Sequence, residues 1–245
     1  MKRYLFIATL FLCPFLTSNA EIINGFSQKK MLLENKINHH KELLHKTSDS
    51  KRIKQLTKEL KRMQKNYELV SRKYFETDEL LFTVKEIDPE LYEQVSKVTN
   101  AEGTLTHVVV QYVSRVDDEY TMYVNNHFKA NAYTSVGQSK ENEHVCTSHS
   151  GTNTITITIG YGGDARKALG HEFAHVLYIV PNLNEYMNYW SRSNDFCSGH
   201  SIDDPSFDYL EKIESDFFKK HHEYMKREKV KKSSKPNLAS LTDQN

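Results

Sequence analysis

The chain has 245 residues, 38% hydrophobic and 27% charged, enough to bury one core with an appendage. Its 33 Lys and Arg offset 32 Asp and Glu, so the charge balance gives a polyanion partner no support and no nucleic acid is expected.

The first twenty residues stand apart. Lys2 and Arg3 precede an apolar run over 4–16, and Ser18-Asn19-Ala20 then puts small residues at −3 and −1 of a cut. This is the pattern of a secretory signal peptide over 1–20, so the chain is expected to be exported, into a periplasm or out of the cell. The run is too short to span a bilayer, and no later segment approaches the about 18 apolar residues that spanning needs, so no stable membrane insertion is expected after cleavage. Cys13 raises lipoprotein processing as an alternative, but Phe11-Leu12 are bulky where small residues belong and the apolar run continues past it. The cleaved chain keeps Cys146 and Cys197. In an oxidising compartment these are most simply one disulfide, with two free thiols as the alternative.

Residues 27–74 contain neither Gly nor Pro. Ile53, Leu56, Leu60, Met63, Tyr67, Val70 and Tyr74 follow one another at alternating spacings of three and four, a heptad seam. Leu33, Ile37, His40 and Leu44 repeat the spacing more weakly, and Thr47-Ser48-Asp49-Ser50 supplies turn and cap residues between the runs. A helical hairpin packed along its seam is predicted, assigned to an N-terminal arm over 21–87. The arm could cover the rest of the protein, dock substrate, shield a site or self-associate.

Asp88-Pro89-Glu90 opens a short helix by cap and first-position logic. Residues 106–113 and 120–124 are rich in β-branched and aromatic types and predict strands. Residues 125–151 read as loop, and 152–159 alternate Thr and Ile as a half-buried or edge strand does.

Asp164 caps a helix predicted over 164–180, which Pro181 ends. Inside it His171 and His175 stand one turn apart on one face, the spacing at which two imidazoles reach one metal. Glu172 points about 60° to 100° away from them, free to address a metal-bound water. Leu169, Phe173, Val176 and Val180 form an opposite, apolar face.

The HExxH helix, following a Thr/Ile strand in an exported chain, resembles the zincin metallopeptidases over about 105–225. The resemblance implies an α+β fold: a small zincin-like domain over 88–225 with a short sheet, an active-site helix, an edge strand above the cleft and a later helix bearing the third ligand. It does not extend to the metzincins, which would need Gly at Tyr178 and His at Pro181; it is similar to the gluzincins, which use a glutamate. Asp204-Pro205 starts the later helix, and Glu214 falls inside its stripe of Phe207, Leu210, Ile213, Phe217, Phe218 and Tyr224. A carboxylate in such a stripe needs a cation or a partner. Glu214 is therefore the favoured third ligand, with Glu211, Asp208, His200 and Glu185 as alternatives and an ordinary salt bridge as the bland reading. Position 218 is Phe where the gluzincin pattern has an orienting aspartate.

These features predict a zinc-dependent peptidase with a peptide or protein substrate: His171, His175 and Glu214 hold Zn²⁺, Glu172 is general base, and His200 or Tyr178 polarises the carbonyl. The alternatives are an exported binding protein whose zinc is structural or whose site is inactive, and a hydrolase of other amides or esters. Residues 226–245 read as a basic, solvated tail.

Overall fold

The two charged, periodic segments form a helical hairpin in a computed structural model that describes residues 22–113, 132–136, 154–159, 164–182 and 207–233. Helix α1 is Ser27–Lys46 and α2 is Ser50–Ile87. Asp49 caps α2 by accepting the Lys51 amide at 2.9 Å, a device worth about 1 kcal/mol. The seam faces α1 of the same chain: Ile37, Leu56 and Val70 are buried in it. His40, polar in an apolar row, is placed against Glu59 at 3.3 Å.

Beyond the seam α2 changes partners. Thr77, Leu80, Leu81, Val84 and Ile87 are buried, and the four apolar ones join the main core with the sheet and later helices. The expected arm boundary at 87 coincides with the end of α2 but not with a gap in the core. Asp88 then caps α3 (Pro89–Ser96) by accepting the Leu91 amide at 3.1 Å, as the sequence predicts.

The sheet has four strands in the order β1-β2-β4-β3: β1 Ile22–Asn24, β2 His107–Tyr112, β3 Ala132–Val136 and β4 Thr154–Ile159. The first three in that order run parallel, and β3 is antiparallel to β4. Two strands fall where none was expected. β1 lies inside the segment assigned to the arm, and is fastened by Asn24, whose Nδ2 donates to Tyr74 O and Asp78 Oδ1, each at 2.8 Å, while its Oδ1 accepts from the Phe26 amide at 3.0 Å. β3 lies in the stretch read as loop. β4 corrects a further expectation: it pairs with β2 on one side and β3 on the other, so its Thr/Ile alternation belongs to an interior strand. Among the described strands β1 and β3 are the edges. Residues 120–124, read as a strand, lie outside the described residues.

Two helices close the core, α4 (Ala165–Ile179) and α5 (Phe207–Ser233). Leu169, Phe173 and Val176 of α4 and Phe217 of α5 pack with Val108, Val110, Ile155, Ile157 and Ile159 of the sheet. Helix α5 continues eight residues into the expected tail; its last turns are exposed and carry the Lys231–Glu228 ion pair at 2.9 Å. The result is an α+β fold, mostly helical around a small sheet. No helix among the described residues is long and apolar enough to cross a membrane.

Candidate functional site

Asp164 starts α4 by accepting the Arg166 amide at 3.1 Å and holds the same residue's guanidinium through Nε at 2.8 Å and Nη2 at 3.1 Å. Burial raises the Asp164 pKa, but the Arg166 hydrogen bonds and charge more than offset that, leaving it below the ordinary value. The apolar face then fixes the rotation of the helix: Leu169, Phe173 and Val176 are fully buried, with the Phe173 ring edge-on to Tyr92 at 6.1 Å. This leaves His171 and His175 on the remaining face.

Their rings are 4.6 Å apart at 84°, and the two Nε2 atoms approach to 3.0 Å. Glu172 is 6% exposed and His175 8%, so both are held largely away from bulk water. At 3.0 Å one ring donates and the other accepts, and the same convergence suits an ion. Zinc–imidazole bonds of about 2.0–2.1 Å at a tetrahedral angle put ligand nitrogens roughly 3.3–3.4 Å apart. A parting of a few tenths of an ångström takes the pair to that geometry, and two imidazoles are a donor set that zinc accepts. The two histidines therefore fit a shared divalent ion.

Glu214 faces the histidine pair from α5, on the His171 side. Its Oε2 lies 3.3 Å from His171 Nδ1, the ring nitrogen opposite the one that faces His175. A carboxylate at that nitrogen can orient the imidazole from outside a coordination sphere. Among the described residues no three His, Cys, Asp or Glu side chains converge on one ion. Asp208 and Glu211 are exposed on α5; His200, Glu185, Cys146 and Cys197 lie outside the described residues. Tyr178 lies on the histidine stripe of α4, its ring tilted at 48° against Tyr209 at 5.7 Å.

Helix α5 is placed by an antiparallel match with α4. Tyr209 meets Tyr178, Glu214 meets His171, and the His221 imidazole reaches Asp164 at 3.1 Å. Between them a Cβ built on Gly170 would overlap the Phe217 ring, well inside van der Waals contact, so the pair comes this close only because position 170 is Gly. Lys220 adds a 2.8 Å ion pair to the buried Asp88, fixing α5 to the start of α3. The His221 pKa is lowered, chiefly by burial, with the neighbouring Arg166 and Lys167 charges also lowering it and Asp164 opposing.

Sequence reasoning passed over Gly170, Tyr209, Lys220 and His221. His221 had a readable signal, since it continues the inward stripe four residues after Phe217. No protein-family description, curated protein or solved structure matches this chain.

Proposed function

We propose that the protein is an exported zinc-dependent metallopeptidase of the zincin type, with His171 and His175 as ligands and Glu172 as general base. The observation that carries this reading is the convergence of two Nε2 atoms at 3.0 Å beside a buried glutamate on one helix. When bound there, zinc supplies a water acidified toward neutral pH and a Lewis acid for the scissile carbonyl. Glu172 accepts the water proton on a carboxylate oxygen and returns it to the leaving amine nitrogen. Glu214, 3.3 Å from Nδ1 of His171, places a negative charge that favours the proton on that nitrogen and leaves the Nε2 electron pair for the metal. With Glu214 on that side, Glu211, Asp208, Glu185 and His200 are the other third-ligand candidates. Tyr178 and His200 stand as candidates for polarising the carbonyl. As the antiparallel edge strand next to α4, β3 takes over from β4 as the place where an extended peptide adds by backbone hydrogen bonds.

The test uses the chain from residue 21 onward, measuring bound zinc and cleavage of denatured casein with and without chelator. Glu172→Gln is expected to keep its zinc and lose cleavage by about 10²-fold or more. Cleavage unchanged in that variant overturns the mechanism. A wild-type protein that holds zinc but cuts nothing favours the structural or inactive site.

A further inference from the structure

The outer half of α2 carries its charges in an arrangement that packing does not require. From Lys51 to Lys65 the only carboxylate is Glu59. At about 100° per residue, Lys51, Lys54, Lys58, Lys61, Arg62 and Lys65 fall within about 100° of one another around the helix axis, nearly opposite the seam of Leu56, Leu60 and Met63. All six are exposed. Glu59 lies off this stripe, against His40 at 3.3 Å and accepting from Gln55 Nε2 at 2.9 Å. With a rise of about 1.5 Å per residue the stripe is about 21 Å long.

On the other exposed helix surfaces cations meet carboxylates three residues away, as Lys219 meets Asp216 and Lys231 meets Glu228. In the stripe the neighbours three and four apart are Lys51 and Lys54, Lys54 and Lys58, Lys58 and Arg62, and Lys61 and Lys65. Like charges at these spacings destabilise a helix, so alternating signs would serve both the helix and solubility better. Among the described residues none of the six is held in an ion pair. The near balance of the whole chain, 33 positive against 32 negative, hides this segregation.

We infer that the stripe is a docking surface for a linear acidic polysaccharide, bound by charge along α2. The inference goes beyond the peptidase reading and uses nothing of the zinc site; from the expected export it takes only the setting in which such a polymer is met. A straight row of cations is complementary to a chain that bears carboxylate or sulfate groups at regular intervals. Other polyanions fit the stripe less well. A bilayer surface holds a helix through apolar residues beside the cations, whereas Gln55, Thr57 and Gln64 flank this row. Nucleic acids are gripped by stacked aromatic rings and by the planar fork of Arg on phosphate. The stripe has no aromatic residue, and five of its six cations are Lys, point charges on flexible stems that follow a charge pattern without fixed geometry. It ends at Lys65, short of Val70, where α2 first shares a core with the end of β2, so a bound polymer leaves the core-facing length of the helix untouched.

The test titrates the chain from residue 21 onward with alginate and heparin, a carboxylated and a sulfated probe, over a series of salt concentrations. Binding is expected to weaken linearly in log Kd against log salt, and binding of one probe alone names the acidic group. Lys54→Gln, Lys58→Gln and Lys61→Gln together should weaken it about tenfold or more and cut the salt slope by about half. Lys36→Gln, Lys41→Gln and Lys46→Gln together remove the same charge from α1 and should leave the affinity close to wild type. The stripe variant is expected to melt no lower than wild type, since it relieves repulsion, which separates lost binding from lost fold. Binding of neither probe, equal weakening by the two triple variants, or tighter binding of duplex DNA or of phosphatidylserine vesicles at the same salt overturns the inference. Casein cleavage enters none of these readings, so the docking surface and the peptidase fail separately.

Discussion

Gly170 immediately precedes the first histidine, on the side of α4 where the Phe217 ring is seated. Two effects of Gly170→Ala oppose each other. Alanine gains about 1 kcal/mol of helix propensity, while forcing a methyl into a fully buried aromatic contact costs typically about 1–3 kcal/mol and moves a helix. Movement here draws Glu214 from His171, so the variant is expected to melt lower and bind zinc more weakly. Phe217→Ala alone should cost about 3–5 kcal/mol, and the double variant should cost less than the sum because both changes act on one contact. A thermal-melt double-mutant cycle measures that coupling; strict additivity would contradict the notch. The carboxylate itself is probed by Glu214→Gln. If it orients His171 from outside the coordination sphere, zinc affinity in a competition titration should fall by about 10- to 100-fold, with the metal still bound at saturation. Complete loss of binding would return Glu214 to the ligand set.

Among the elements, those whose signal is local were legible in the sequence. Caps at Asp49, Asp88 and Asp164 and the apolar periodicities located the five described helices, because a helix satisfies its own backbone and advertises its buried face every three or four residues. The strands were less legible. β1 is three residues long and takes its meaning from a partner more than eighty positions away, and the alternation of β4 is the same whether one neighbour or two flanks it. The motif residues were readable as a pair. The nitrogen that Glu214 addresses was not, because it depends on how α5 slides along α4, which the Gly170–Phe217 contact and the His221–Asp164 pair set in space. That last pair makes the helix joint pH-sensitive. His221 is buried with its pKa below the ordinary 6.5, so the unfolded chain takes up a proton in a range where the folded one does not. Stability is therefore complete above about pH 6.5 and declines as pH falls toward the folded value; Asp164, also lowered, withdraws its share only below the ordinary 3.8. A Tm series from pH 7.5 to 5 should descend by about 2–4 °C per kcal/mol lost, and more shallowly in His221→Gln. Parallel curves would show that the descent has another source.

For the molecule as a whole, the question is whether the N-terminal hairpin is a detachable arm. Its two ends answer differently. Helix α1 packs on α2, and the outer part of the hairpin buries little besides Leu56. At the base, Phe26 and Val70 share a small core with Val113 at the end of β2, Asn24 stitches β1 to α2, and the Thr77 hydroxyl accepts the Tyr112 amide at 3.1 Å. Further along, Leu80, Leu81, Val84 and Ile87 cover the sheet and lie in one cluster with Phe173 of the HExxH helix. Removing the base strips the core of a layer, and hydrophobic burial at about 25 cal/mol per Å² makes that a loss exceeding the whole stability of an ordinary domain. Removing the tip costs only what the tip itself buries. His40 faces Glu59, so replacing 38–61 by a short turn rejoins the two helices at matching heights. That variant is expected to melt cooperatively, a few degrees below the intact chain, and to bind zinc as tightly, whereas a chain lacking 22–87 is expected to show no cooperative transition in calorimetry. If the longer deletion melts as a single sharp transition and still binds zinc, the site-bearing unit stands alone, and the contacts of α2 with the sheet are a docking of two bodies rather than one core.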